Sequence, residues 1–371
     1  MGKLKLKVIV SGGGTGGHIF PAVAIANSIK NKYPDTEFLF VGAKGKMEME
    51  KVPRAGYKIE GLWISGLQRK LTLSNLSFPL KVIASLWKSM RIIKRFKPDI
   101  AIGVGGFAGG PLLKAATMLN VPALIHESNS YPGITNKILG KSVNTVCVAF
   151  EGMNKYFPAS KLVVTGNPVR QEIVQVEGKR EAGLKHFKLK EDLPVLLVIG
   201  GSLGAKSINE AIDASLNGFK TKGYQLLWQT GVHYKSRANE AVQALNYEGV
   251  QNHEFIYEMD LAYAVADVVV SRAGAMSVSE LTLVKKPSIL VPYPYAAEDH
   301  QTKNAMSLVD VNAAILVKDS NTKNDLYSNI EELLSSSVKR DELTANIAKL
   351  ALPNASQLIL EEVEKLVDGK S

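Results

Sequence analysis

"VSGGGTGGHIFPAVAIANSIK" (residues 10–30) places five glycines in the six positions 12–17, broken only by Thr15, and then a histidine, His18. A β-branched run, Lys7–Ser11, precedes the glycines, and Ile19, Val23, Ala26 and Ile29 follow at helical spacing. The pattern is strand, tight glycine turn, helix. It returns at "PVLLVIGGSLGAKSINEAIDASL" (residues 194–216), where Gly200, Gly201 and Gly204 fall on Gly12, Gly13 and Gly16. The chain therefore has two similar halves, each opening with the same βα unit.

Further strands alternate with helices in both halves. Thr36–Val41, Ile100–Val104, Ala123–His126 and Thr145–Val148 read as strands in the first. Tyr224–Gln229, Glu254–Ile256, Val268–Ser271 and Ser288–Pro292 read as strands in the second. Near-continuous apolar strands between helices imply parallel sheets covered on both faces. The fold class expected is α/β, with two doubly wound Rossmann-like domains facing a cleft. The first domain is expected over residues 1–165 and the second over 166–352, with "GNPVR" (Gly166–Arg170) as the hinge. A last helix, 353–371, is expected to pack back on the first domain. In such sheets ligands bind beyond the carboxyl ends of the strands.

The 371 residues fit two domains, and 46% hydrophobic with 22% charged residues fits full cores. The single cysteine, Cys147, excludes an internal disulfide and any site built from several cysteines. The opening residues do not read as a signal peptide, and no apolar run approaches the roughly 18–20 residues that span a bilayer. The expectation is a cytoplasmic protein that touches a membrane without crossing it. A net charge of +10 favours polyanions: nucleic acid, anionic lipid or phosphorylated substrates. Nothing resembles a zinc finger or an RNP motif, so no nucleic-acid partner is expected.

Three phosphate chemistries compete for the glycines. Gly12-x-Gly14-x-x-Gly17 matches the dinucleotide fingerprint, but "FLFVGAKGK" (residues 38–46) ends the second strand without the acid that holds the ribose. The second loop, GGSLGAKS (residues 200–207), has Ala205 where a P-loop needs glycine, and Asp267 precedes its strand instead of following it. The third chemistry is a nucleotide-sugar transferase. GGGTGGH (12–18), HESN (126–129), GNPVR (166–170), GGSLGA (200–205), SRAGAMSVSE (271–280) and DHQTKNA (299–305) resemble, in order, the signature blocks of the MurG family.

The resemblance implies the GT-B fold and inverting transfer of GlcNAc from UDP-GlcNAc to the C4 hydroxyl of MurNAc-pentapeptide on a polyprenyl diphosphate. The acceptor, lipid I, would sit on the first domain, the donor mainly on the second, and the product would be lipid II for peptidoglycan. It further implies a peripheral place on the cytoplasmic face of the cell membrane, other cell-wall synthesis proteins as partners, and a part in cell shape and division. Two alternatives stay open: a related transferase with another lipid or small acceptor, and a non-catalytic nucleotide-sugar binding protein. No cofactor or metal is expected, since Asp-x-Asp, the usual holder of a cation on the diphosphate, occurs nowhere. The leaving UDP would then need helix N-termini and the side chain of Arg170.

The candidate residues carry bland readings beside the functional ones. At a helix N-terminus the dipole disfavours an imidazolium, so His18 is a candidate base for the acceptor hydroxyl, with Glu127 as its rival. The resemblance places Thr15, Gly16 and Gly17 near the donor sugar or acceptor, although glycines also serve tight turns. It places Ser202 at the diphosphate, Asn129 and Gln301 near the sugar, and the Ile256 backbone at the uracil. Ala275 and Met276 are implied at the donor as well. Glu280 is implied at the ribose hydroxyls, although Ser277-x-x-Glu280 also reads as a capping box.

The segment Leu80–Lys97 reads as an amphipathic helix, with Leu80, Ile83, Trp87, Met90 and Ile93 on one stripe and Lys81, Lys88, Arg91, Lys94, Arg95 and Lys97 as cations. With Arg69 and Lys70 just upstream, it is the candidate for an anionic membrane surface, where each Lys or Arg contributes about 1 kcal/mol.

Overall fold

A computed structural model describes residues 5–66, 77–169, 173, 175–201 and 203–369. The chain divides into two compact units, Met1–Val169 with Asn354–Ser371, and Arg170–Pro353.

The first unit is built on a seven-stranded sheet in the order β3-β2-β1-β4-β5-β6-β7. Its strands are β1 (Lys7–Ser11), β2 (Glu37–Ala43), β3 (Ile59–Leu62), β4 (Ile100–Gly103), β5 (Ala123–Glu127), β6 (Thr145–Val148) and β7 (Leu162–Val164). The second unit holds a six-stranded sheet in the order β10-β9-β8-β11-β12-β13. Its strands are β8 (Val195–Ile199), β9 (Gln225–Gln229), β10 (Val250–His253), β11 (Val268–Ser271), β12 (Ser288–Leu290) and β13 (Ile315–Leu316). Every pairing in both sheets is parallel.

Parallel strands need crossovers, and the helices that supply them cover both faces. That is why central strands such as β8, VLLVI, are buried at every position. It also explains why the sequence shows apolar runs and no alternation. In each unit the order of strands reverses beside its first strand. The loops after β1 and β4 diverge there, as do those after β8 and β11, and each pair leaves a crevice at the carboxyl ends.

The helix Ala355–Asp368 returns to the first unit and lies along helix Gly16–Lys32. Ile359, Leu360 and Val363 join Ile25, Ile29 and Cys147 in one apolar cluster. The Tyr33 hydroxyl donates to Glu364 Oε1 at 2.7 Å, and Lys32 Nζ pairs with the same oxygen at 2.6 Å.

Two expectations need correction. The strand expected over Glu254–Ile256 is displaced: β10 occupies Val250–His253, and Ile256 is a buried plug in the loop beyond it. The edge strand VQNH carries polar residues because only part of it is covered. The capping box at Ser277 is absent. The helix runs Ala275–Val284 with Gly274 as its extended N-cap, so Ser277 and Glu280 lie inside it.

Candidate functional site

The first glycine loop, in the first unit, joins β1 to helix Gly16–Lys32. Most of its glycines serve the protein's own packing. A Cβ on Gly12 would lie 2.6 Å from the His18 carbonyl oxygen, and one on Gly13 would lie 2.4 Å from the Glu48 carboxyl. Gly14 sits at φ +85°, a left-handed turn position. A Cβ on Gly16 would lie 3.0 Å from the Phe20 ring. Among the described residues, a Cβ on Gly17 would meet nothing closer than Thr15 Oγ1 at 3.7 Å. The glycines therefore do not clear space for a ligand as a block.

Thr15 is the N-cap of this helix and supplies no side-chain cap to the N–H groups of Gly16 and Gly17, while the His18 N–H donates to the Thr15 carbonyl at 3.2 Å. His18 is the third helical residue. Its Nδ1 lies 3.0 Å from the Gly13 carbonyl oxygen. A carbonyl only accepts, so Nδ1 carries a proton, and in the neutral ring Nε2 then holds the lone pair. Among the described residues Nε2 has no hydrogen-bond partner. The loop after β4 packs against the ring: a Cβ on Gly105 would lie 2.8 Å from His18 Cδ2.

Glu127 ends β5 and is 3% exposed. Its Oε1 accepts from the Asn129 amide N–H at 3.0 Å and Asn129 Nδ2 at 3.1 Å. Its Oε2 accepts from Gly133 N–H at 3.2 Å and Asn136 Nδ2 at 2.8 Å. Four donors on one carboxyl group fix the turn that carries Asn129. His126 beside it is fully buried and hydrogen-bonds Gly166 O through Nε2 at 3.0 Å. Burial holds its pKa below the ordinary value, so the ring stays neutral.

In the second unit the crevice between the loops after β8 and β11 opens into a cavity of about 550 Å³. Gly201, Lys206, Arg272, Ser277, Tyr293 and Gln301 are among its walls. Two helices start there, Lys206–Lys222 and Ala275–Val284, and neither has a side-chain cap. Uncapped first-turn N–H groups of this kind, those of Ala275 and Met276 included, can receive an anion. Gln301 Oε1 accepts from Tyr293 N–H at 2.9 Å, which anchors the loop carrying the tyrosine. The same loop holds Glu298 and Asp299 in consecutive left-handed conformations, φ +51° and +57°, a strained arrangement for residues with side chains.

Of the other expected residues, Glu280 accepts from the Tyr263 hydroxyl through Oε2 at 3.0 Å. The Ile256 N–H donates to Gln229 Oε1 at 3.0 Å. Arg170 and Ser202, like Arg69 and Lys70, lie outside the described residues.

Sequence reasoning missed Arg272. Its Nη1 donates to Asp319 Oδ1 at 2.5 Å and its Nη2 to Ser207 Oγ at 3.0 Å. Nη1 also reaches the carbonyls of Val291 and Pro292 at 3.1 and 3.2 Å. One guanidinium thus ties the loop after β11 to the loop after β12 and to the helix start at Lys206. Arg272 sits inside the quoted block SRAGAMSVSE and was open to selection there; Asp319 had no local signal.

The amphipathic helix runs Phe78–Phe96, and its apolar stripe splits. Ile92 and Ile93 enter the core, whereas Leu80, Ile83 and Trp87 are 65%, 55% and 63% exposed. Trp87, Lys88, Arg91 and Arg95 border a shallow cavity of about 380 Å³. Lys88 Nζ donates to the Gly61 carbonyl at 2.7 Å, and Arg95 pairs with Glu60.

Comparison with known proteins agrees with this architecture. Residues 8–148 match the model of the glycosyltransferase family 28 N-terminal domain, and residues 195–359 that of its C-terminal domain. A protein of Cytophaga hutchinsonii, named UDP-N-acetylglucosamine–N-acetylmuramyl-(pentapeptide) pyrophosphoryl-undecaprenol N-acetylglucosamine transferase, is 53% identical over 98% of this chain and 97% of its own. A protein of the same name from Flavobacterium psychrophilum is 50% identical over 98% of each chain. The crystal structure of Acinetobacter baumannii MurG superposes with a TM-score of 0.80 at 29% identity, covering 98% of this chain and all of that one. With both domain models matched in order and relatives aligned from end to end, the chain belongs to the MurG family of glycosyltransferase family 28.

Proposed function

We propose that this protein transfers the N-acetylglucosaminyl group of UDP-GlcNAc to the C4 hydroxyl of lipid-linked MurNAc-pentapeptide, with inversion at the anomeric carbon. The observation that carries the proposal is the end-to-end match, through both domains, to transferases whose names state that reaction. The donor occupies the cavity of the second unit. Its diphosphate meets the first-turn N–H groups at Lys206 and Ala275, with Arg272 holding the surrounding loops in place. On the sequence resemblance, Arg170 and Ser202 complete the diphosphate site, Gln301 and Asn129 serve the sugar, and the backbone of Ile256 the uracil. Glu280 serves the ribose hydroxyls, with Tyr263 steering its carboxyl group.

The acceptor sits at the glycine loop of the first unit, against Thr15, Gly16 and Gly17. His18 Nε2 takes the proton of the C4 hydroxyl as the oxygen attacks the anomeric carbon. The bond to UDP breaks with its electron pair on the diphosphate. The commitment of Glu127 to four N–H donors favours His18 as the base. Leu80, Ile83 and Trp87, flanked by cations, rest the first unit on an anionic membrane surface, where the lipid-linked acceptor lies. No helix among the described residues is long and apolar enough to cross a membrane.

Transfer of labelled GlcNAc onto a panel of lipid-linked acceptors tests the proposal. Label on the MurNAc-pentapeptide lipid with stoichiometric release of UDP supports it. Binding of UDP-GlcNAc without transfer, or transfer to another acceptor alone, overturns it.

A further inference from the structure

Glu48 is a carboxyl group with no place in the chemistry above, and it is 1% exposed. It opens the short helix Glu48–Arg54 and reaches back under the glycine loop. Its Oε1 accepts from Ala43 N–H at 2.9 Å, and its Oε2 accepts from Gly14 N–H at 2.8 Å. Two glycines exist to let it pass. A Cβ on Gly13 would lie 2.4 Å from the carboxyl carbon, and one on Gly42 would lie 2.5 Å from Glu48 Cγ.

The Gly14 N–H belongs to the same peptide group as the Gly13 carbonyl that holds His18 Nδ1. The chain has no cis peptide among the described residues, so this C=O and N–H point to opposite sides of one plane. Glu48 grips one side and His18 the other. The loop after β4 closes on the same peptide, since a Cβ on Gly106 would lie 2.5 Å from the Gly13 oxygen. Accepting the N–H also polarises the peptide and strengthens its carbonyl as an acceptor.

The geometry points to Glu48 as a positioning residue for His18, acting through the Gly13–Gly14 peptide to hold the imidazole as the Nδ1–H tautomer with Nε2 facing the reaction. The inference rests on the proposed role of His18 as base. Glu48 touches no substrate; it does for His18 what a directly bonded carboxylate does in other sites, with one peptide plane between them.

Glu48→Gln tests it. The variant keeps the shape but leaves one acceptor oxygen for the two N–H donors of Ala43 and Gly14, so the side chain cannot hold both and its grip on the Gly13–Gly14 peptide weakens. The kcat for GlcNAc transfer is expected to fall roughly 10- to 100-fold, as for a lost hydrogen bond to a charged group. The KM for UDP-GlcNAc, set by the second unit, is expected to stay within about twofold, as uniform binding is untouched. Tautomers are read independently of turnover by 15N NMR of histidine-labelled free protein, with His18→Ala identifying the His18 signals among six histidines. The wild type is expected as Nδ1–H, Glu48→Gln as a mixture, and Glu48→Asp, still a pure acceptor, closer to the wild type. An unchanged tautomer in a folded Glu48→Gln overturns the proposal. So does an Nε2–H His18 in the wild type, which decides the matter even if the variant fails to fold. A wild type without transferase activity would refute the functional reading while leaving the tautomer result intact.

Discussion

Gly17→Ala separates a glycine kept for a substrate from one kept for the fold. Gly17 is the second residue of helix Gly16–Lys32, and among the described residues a new Cβ there meets only Thr15 Oγ1 at 3.7 Å, an ordinary contact. The substitution therefore costs the free protein no strain. Alanine in a helix is favoured over glycine by roughly 0.5–1 kcal/mol, chiefly through the unfolded chain. In a unit of this size that raises Tm by about 1–4 °C. Gly13→Ala is the opposite case, because its Cβ would strike the Glu48 carboxyl at 2.4 Å. Displacing that group breaks both hydrogen bonds of the Glu48 carboxyl, one buried and one part-buried, a loss of about 2–5 kcal/mol. Both variants are measured by thermal melt and by GlcNAc transfer over a range of acceptor concentrations. Gly17→Ala should melt at or above the wild type and still lose acceptor use, whereas Gly13→Ala should lose stability first. Full transfer activity in Gly17→Ala would refute the claim that the acceptor occupies the open space at this position.

Activity should survive EDTA: the chain has no Asp-x-Asp, and among the described residues no three His, Cys, Asp or Glu side chains cluster to hold a metal. Loss restored by magnesium or manganese would contradict this. Stability should fall as pH drops through about 6.5, because buried His126 and half-buried His253 have lowered pKa values and the unfolded chain takes up their protons first. Each adds at most about 1.4 kcal/mol per pH unit, measured by urea unfolding at pH 7.5 and 5.5; a flat profile would show that neither ring stays neutral. Trp87→Glu should weaken binding to anionic vesicles, in a salt-sensitive manner, while calorimetric titration with UDP-GlcNAc stays unchanged; equal vesicle binding would remove this helix from the membrane contact.

Central strands were legible because burial on both faces writes them as apolar runs. The strands β1, β6 and β11 begin and end where their sequences suggest. Edge strands carry no such mark. The short β3 (IEGL) and β7 (LVV) are only partly covered, and β10 (VQNH) is polar enough to pass for a loop. The stripe on helix Phe78–Phe96 followed helical spacing, yet spacing cannot tell which apolar residues meet a core. Here Ile92 and Ile93 do and Trp87 does not. At the site, His18 stood out because it follows the glycines. Glu48 did not, since what gives it meaning is a peptide 34 positions away that only the fold brings to it. The glycine run is ambiguous by itself: local sequence cannot distinguish a Cβ missing for a ligand from one missing for a buried glutamate.

The most direct test of the account is transfer of labelled GlcNAc from UDP-GlcNAc to lipid-linked MurNAc-pentapeptide by the wild type and by His18→Ala. The account predicts a labelled, inverted product from the wild type, and a kcat lowered about 10²–10⁴-fold in His18→Ala with donor binding intact. No transfer by the wild type, or undiminished kcat in His18→Ala, would contradict it.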